Sequence, residues 1–176
     1  MISLNRNFIF ELCQANLEEF ITKKYNGVMP GEIEGLYQMA SGLKFIHEKK
    51  MIHRDIKAEN VLIYLADGQR ACLKIADLGF TKPLNEDGIH YDLASGLKGT
   101  EYYMAPELLV LRNLNRRVPD EKCTTASDVF AAGCTFFRYC ADGGLHPFGH
   151  GFNIEGNIVT GNPVNLTGKC REVAIS

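Results

Sequence analysis

The sequence predicts an α+β domain in which helices outweigh strands, and three stretches predict it. Ile33, Leu36, Tyr37, Ala40, Leu43, Ile46 and His47 recur at spacings of three and four, the pattern of a one-faced amphipathic helix. Residues 61–64 and 72–75 are short runs of strand-forming side chains, and Asp67-Gly68 between them is a good hairpin turn. Residues 124–140 begin on hydroxyl side chains and then carry apolar residues on nearly every side, which predicts a buried helix. With 176 residues, 45% of them hydrophobic, the chain fits one domain with a core of its own.

In chain order, residues 8–13 (Phe-Ile-Phe-Glu-Leu-Cys) read as a strand of bulky side chains. Asn16 then offers a helix N-cap with Glu19 three positions later, a capping-box arrangement, and Leu17, Phe20 and Ile21 supply an apolar stripe. Residues 23–31 form a polar link whose Pro30 suits the first turn of the long helix. His47, at that helix's end, reads as a packed or capping residue, and the helix gives rigid support to the loop that follows. The hairpin carries Asn60 just before its first strand and Asp77 just after its second. Residues 81–99 are polar, Gly-containing and aperiodic, longer than most connections and so a candidate functional segment. The hydroxyl residues there and just beyond are Thr81, Tyr91, Ser95 and Thr100. Asp128 falls in the first turn of the buried helix, where a carboxylate is costly unless bonded, so it should anchor backbone amides.

The stretch His53-Arg54-Asp55-Ile56-Lys57-Ala58-Glu59-Asn60 carries the chemistry. The Asp55 carboxylate can accept the proton of an incoming hydroxyl, and the Asn60 amide oxygen can hold a metal ion. Lys57 can neutralise charge on a moving phosphoryl group. Asp77 adds a second oxygen ligand beside Asn60, as a Mg²⁺–triphosphate site needs. Leu62, next to Asn60, fits the floor beneath an adenine ring. An ordinary polar loop after a helix is the competing reading.

Two further motifs follow: Lys74-Ile75-Ala76-Asp77-Leu78-Gly79-Phe80, then Gly99-Thr100-Glu101-Tyr102-Tyr103-Met104-Ala105-Pro106-Glu107. Three motifs in this order resemble the protein kinases. The resemblance implies Asp55 as catalytic base, Lys57 of the serine/threonine type, and Asn60 and Asp77 as Mg²⁺ ligands. It also implies Asp128 holding the backbone of the His-Arg-Asp turn. Read from the loop itself, Arg54 could receive a phosphate placed on one of its hydroxyls, Ser95 being the candidate and Thr100 a structural residue contacting Asp55 and Lys57, with a plain solvated loop without regulation as the competing reading. Glu11-Leu12-Cys13 with Leu17-Glu18-Glu19-Phe20, residues 126–134, His146-Pro147-Phe148-Gly149 and Asn157-Ile158 resemble a narrower group. These are the inositol-requiring kinase–endoribonucleases of the unfolded-protein response and their cousin, the oligoadenylate-dependent ribonuclease. The resemblance covers roughly residues 7–160 and implies ATP and Mg²⁺ as cofactors, with Glu11, Cys13, Lys57, Asn60, Leu62 and Asp77 around the nucleotide. A protein substrate and self-association through a kinase dimer follow from it. So does a cytoplasmic location, full-length relatives sitting on the cytosolic face of the endoplasmic reticulum membrane.

Departures shape the expectation. Leu78 stands where the family has Phe and should still pack against His53; Ala58 replaces a frequent Pro. No Gly-rich loop, strand lysine or partner Glu helix precedes Phe8, and Glu107 lacks its usual Arg, so residues 1–176 read as a partial kinase domain, hinge plus large lobe. The Gly-rich stretch 149–176 reads as an irregular end. Three readings stand: a segment of an active kinase, a pseudokinase-like interaction module, and a scaffold. A net charge of −2 gives no reason to expect nucleic acid or an anionic membrane, and no apolar run is long enough to span a bilayer. Six cysteines (13, 72, 123, 134, 140 and 170) show no zinc-ligand spacing and read as buried thiols.

Overall fold

The computed structural model describes residues 11–93, 96–114 and 122–166. Its first strand, β1 (Ala15–Asn16), pairs antiparallel with β3 (Val61–Ala66), and β3 pairs with β4 (Arg70–Ile75) in the order β1-β3-β4. The strand expected at 8–13 is not seen at residues 11–13. Residues 8–10 lie outside the described residues, Glu11, Cys13 and their neighbour have no regular structure, and pairing begins where the Gln14 N–H reaches the Ile63 carbonyl at 2.8 Å.

Asn16 leaves the sheet and caps α1 (Leu17–Ile21). Its side chain accepts from Glu19 N at 2.9 Å while the Glu19 carboxylate accepts from Asn16 N at 2.9 Å, so two orphan donors are met reciprocally. α2 (Glu32–Glu48) starts after Gly31, which leaves Pro30 outside the helix, its carbonyl accepting from the Tyr139 hydroxyl. The buried face of α2 is Gly35, Met39 and Leu43. Ile33 and Tyr37, expected inside, are 85% and 67% exposed. Gly35 is required where it is, because a Cβ there would lie 2.7 Å from the Tyr139 hydroxyl. The Gln38 side chain accepts from Leu73 N at 2.7 Å, so α2 covers part of the open edge of β4.

β2 (Met51–Ile52) pairs with β5 (Lys82–Pro83). The β3–β4 hairpin runs in register from Val61↔Ile75 to Ala66↔Arg70, with left-handed φ at both Asp67 (53°) and Gly68 (72°) as the Asp-Gly turn predicts. The segment expected to be aperiodic holds β5 and also β6 (His90–Asp92), which pairs with β7 (Lys122–Thr124). α3 (Pro106–Asn113) carries Pro106 in its first turn. α4 (Ala126–Cys140) buries Ser127, Asp128, Ala131, Ala132, Cys134 and Thr135, but Val129 on its other side is 57% exposed, so it is one-faced rather than wholly buried. α5 (Asn153–Val159) lies within the stretch expected to be irregular, of which 167–176 fall outside the described residues.

Among the described residues three apolar clusters form the core, and the loop 53–60 is pinned by all of them. Ile52, just before it, packs with Tyr91, Leu109 and Ile158; Ile56 packs with Leu43, Tyr103 and Ala132; Ala58 packs with Leu17, Met39 and Val61. Cys123 and Cys134 are buried as expected of the thiols, whereas Cys13, Cys72 and Cys140 are half-buried, and Cys170 lies outside the described residues.

Candidate active site

The site is built from Asp128 outward. This carboxylate, 1% exposed, accepts from Arg54 N at 2.8 Å on one oxygen, and from His53 N at 2.8 Å and His47 Nε2 at 2.9 Å on the other. Burial without donors would be costly, and three donors converge instead. They hold Arg54 in a left-handed conformation (φ 70°), which a non-glycine residue adopts only when its surroundings enforce it. His53, fully buried, accepts from Asp55 N on Nδ1 at 3.2 Å and donates from Nε2 to the Ala76 carbonyl at 2.9 Å.

The turn so fixed presents Asp55, 5% exposed. One carboxylate oxygen accepts from the Thr100 hydroxyl at 2.8 Å. The other accepts from Asn60 Nδ2 at 2.9 Å and lies 3.0 Å from Lys57 Nζ. Lys57 Nζ also donates to the Thr100 oxygen at 2.8 Å, closing a ring of three side chains as expected for Thr100. Asn60 Nδ2 makes a second bond to the Asp55 carbonyl at 2.8 Å, so the amide nitrogen is used on Asp55 and Oδ1 is the atom left for a cation.

Asp77 reaches the same corner by backbone. The Asn60 carbonyl accepts from Ala76 N at 2.8 Å, joining the start of β3 to the end of β4. Asp77 follows in a left-handed conformation (φ 58°, ψ 71°), its exposed carboxylate accepting from Gly79 N at 3.2 Å and from none of the other site side chains. Two hard oxygen donors on adjacent strand ends fit Mg²⁺ delivered with a triphosphate. Among the described residues no group of three or more His, Cys, Asp or Glu forms an all-protein metal cage.

A matching family model decides the class: protein kinase domain, over residues 3–160. The chain belongs to the protein kinases. It is similar to the serine/threonine-protein kinase/endoribonuclease IRE2 of Homo sapiens, 39% identical over 87% of this chain, and to serine/threonine-protein kinase/endoribonuclease ire-1 of Caenorhabditis elegans, 34% identical over 89%. It is 30% identical over 88% of its length to the sensor for unfolded proteins in the ER ire1 of Schizosaccharomyces pombe. The chain spans 16% of the length of each of these relatives. Its fold is shared with a chain of the yeast RNA Pol II CTD kinase CTDK-1 complex, at TM-score 0.60 and 23% identity, covering 83% of this chain and 42% of that one.

Glu11, Cys13 and Leu62, three of the residues expected around the nucleotide, all lie beside Lys74 of β4. Leu62, half-buried, pairs across the ladder with Lys74. Lys74 Nζ lies 4.1 Å from the Tyr64 ring centroid and forms an ion pair with Glu11. Cys13 is half-buried beside them; burial pushes its thiol up, Lys74 opposes the shift and Glu11 adds to it. Lys74 and Tyr64 were not picked out from sequence, although period-two alternation places Tyr64 on the face of Leu62. No helix among the described residues is long and apolar enough to cross a membrane.

Several expectations need correction. Leu78 does not cover His53: it sits in a one-turn 3₁₀ helix and is 59% exposed, and His53 is closed off by the Ala76 carbonyl instead. Tyr91 is no exposed loop hydroxyl but a core residue 1% exposed, its phenol pushed far up by burial. Arg54 Nε is already bonded to the Phe80 carbonyl at 2.6 Å, and Ser95 lies outside the described residues.

Proposed function

We propose that this chain is the catalytic segment of a serine/threonine protein kinase of the unfolded-protein-response type that moves the γ-phosphoryl of Mg·ATP to a protein hydroxyl. The observation that carries the reading is the closed ring of Asp55, Lys57 and Thr100 with Asn60 on the same carboxylate. Asp55 accepts the proton of the attacking hydroxyl at the carboxylate oxygen that Thr100 now occupies, and Thr100 and Asn60 hold that carboxylate in place. Lys57, bound to both Asp55 and Thr100, supplies positive charge where charge builds on the moving group. Asn60 Oδ1 and the Asp77 carboxylate would hold the magnesium ion, which neutralises phosphate charge when bound. Leu62 would form part of the floor beneath an adenine ring, with Glu11 and Cys13 beside it. A segment facing the cytoplasm and pairing with a second kinase copy belong to the same proposal and rest on the family resemblance alone.

The test uses a complete kinase chain carrying this segment. Asp55→Asn and Asp77→Asn should each abolish transfer, and Asp77→Asn should also weaken Mg·ATP binding because it removes a metal-facing charge. Turnover within a few-fold of the parent for either variant would sink the assignment. The alternative, a pseudokinase-like interaction or scaffold module with little or no activity, predicts that the complete parent chain transfers phosphate no faster than Asp55→Asn.

A further inference from the structure

Arg138, near the end of α4, makes a polar junction that the catalytic ring does not contain. Its Nη1 and Nη2 donate to the two carboxylate oxygens of Glu18 in α1, at 2.7 and 3.0 Å. Nη1 also donates to the Tyr103 hydroxyl, and Nε to the Gly144 carbonyl at 3.1 Å. The side chains are 15% exposed for Arg138 and 26% for Glu18, so this is a sheltered, forked ion pair rather than a solvated one. Both ends lead to the site. Glu18 lies in the helix that Asn16 caps directly after the nucleotide edge at Glu11 and Cys13. Tyr103, 7% exposed, bonds through its N–H to the Thr100 carbonyl at 2.9 Å, and its ring meets His146 edge-on at 5.9 Å. Thr100 in turn touches Asp55 and Lys57.

We propose that Arg138 is a positioning residue for phosphoryl transfer: it ties the helix that follows the nucleotide edge to the segment bearing Thr100, and so fixes where a protein hydroxyl meets Asp55. The inference rests on the kinase activity proposed above. Arg138 touches no reacting atom, so its loss acts on geometry, and misplacement of a reacting group by about an ångström is enough to cost a large factor in rate.

The experiment measures kcat, KM for Mg·ATP, KM for a peptide substrate and thermal stability in the complete kinase chain. Arg138→Met keeps most of the apolar stem and removes the fork. Its kcat should fall roughly tenfold or more while KM for Mg·ATP stays at the parent value. Arg138→Lys keeps a cation beside Glu18 but loses the planar two-nitrogen fork and the Nε bond to the Gly144 carbonyl that fix its geometry, so it should regain stability without regaining kcat. Tyr103→Phe leaves the Arg138–Glu18 pair intact and should lower kcat alone, which keeps the test open if Arg138→Met does not fold. Parent-like kcat in Tyr103→Phe, or an Arg138→Lys variant that restores stability and kcat together, would overturn the proposal. A parent chain with no transfer, matched by Asp55→Asn, would remove the proposed function and this inference with it.

Discussion

At the scale of single residues the site depends on Asp128, whose carboxylate meets the N–H groups of His53 and Arg54 and the ring of His47. Asp128→Ala would leave two backbone donors and an imidazole N–H without an acceptor in a water-poor corner. Each orphan costs about 1–3 kcal/mol, so a loss of about 3 kcal/mol or more in unfolding free energy is expected, read by urea titration. Asp128→Asn keeps one acceptor oxygen and should lose less. An Asp128→Ala variant within about 0.5 kcal/mol of the parent, the range of an ordinary surface substitution, would show that the carboxylate does not hold the turn. The anchoring role was legible in the sequence because a carboxylate in a buried helix demands donors. His47 was not legible as its partner, because the pair is separated by 81 positions and no local pattern encodes that meeting. The same holds for Glu18 and Arg138, 120 positions apart.

At the scale of elements, the signals that held were those whose physics is local. The Asp-Gly turn demanded left-handed φ and has it, and the Asn16–Glu19 box closes both of its bonds. Leu12 and Cys13, part of the bulky run expected as a strand, fall outside the ladder because strand propensity says what fits a sheet, not where pairing runs; among the described residues β3 pairs with Ala15 and Asn16. β5 and β6 were missed because two or three residues cannot show an alternation. In α2 the period was right but the face was turned, since Gly35 admits the Tyr139 ring and Ile33 and Tyr37 are left outside. α1 has five residues, too short to stand by propensity, so its cap matters more than in a long helix. Asn16→Ala should cost about 1 kcal/mol of stability. Amide exchange should quicken at Glu19, whose N–H loses its acceptor, while the β3–β4 hairpin keeps its protection. Uniform quickening across both elements would mean that Asn16 matters to the sheet rather than to the helix.

Across the whole molecule, the apolar clusters meet around the loop 53–60, and the cluster holding Ile56 and Tyr103 is roofed by His146. His146 is 8% exposed; its Nδ1 accepts from Phe148 N at 3.3 Å, and Nε2 is buried without closing a hydrogen bond. Burial first, then the neighbouring Arg138 charge, push its pKa down from 6.5 to about 4, with the Tyr102 backbone pulling weakly the other way. A histidine depressed in this way takes up a proton more readily when unfolded, so the folded state loses stability as pH falls from 6.5 toward 4 and keeps it in full above 6.5. Between pH 7.5 and pH 5 this group alone should remove about 2 kcal/mol from the unfolding free energy. His146→Phe preserves a ring against Tyr103 and Phe148 but has no proton to gain. It should therefore be less stable than the parent at pH 7.5, where the Nδ1 bond is lost, and close that gap by about 2 kcal/mol at pH 5. Urea titrations of both proteins at the two pH values decide it. A gap that does not change with pH would mean that His146 is protonated in the fold, with Arg138 and Tyr103 rearranged around a second cation.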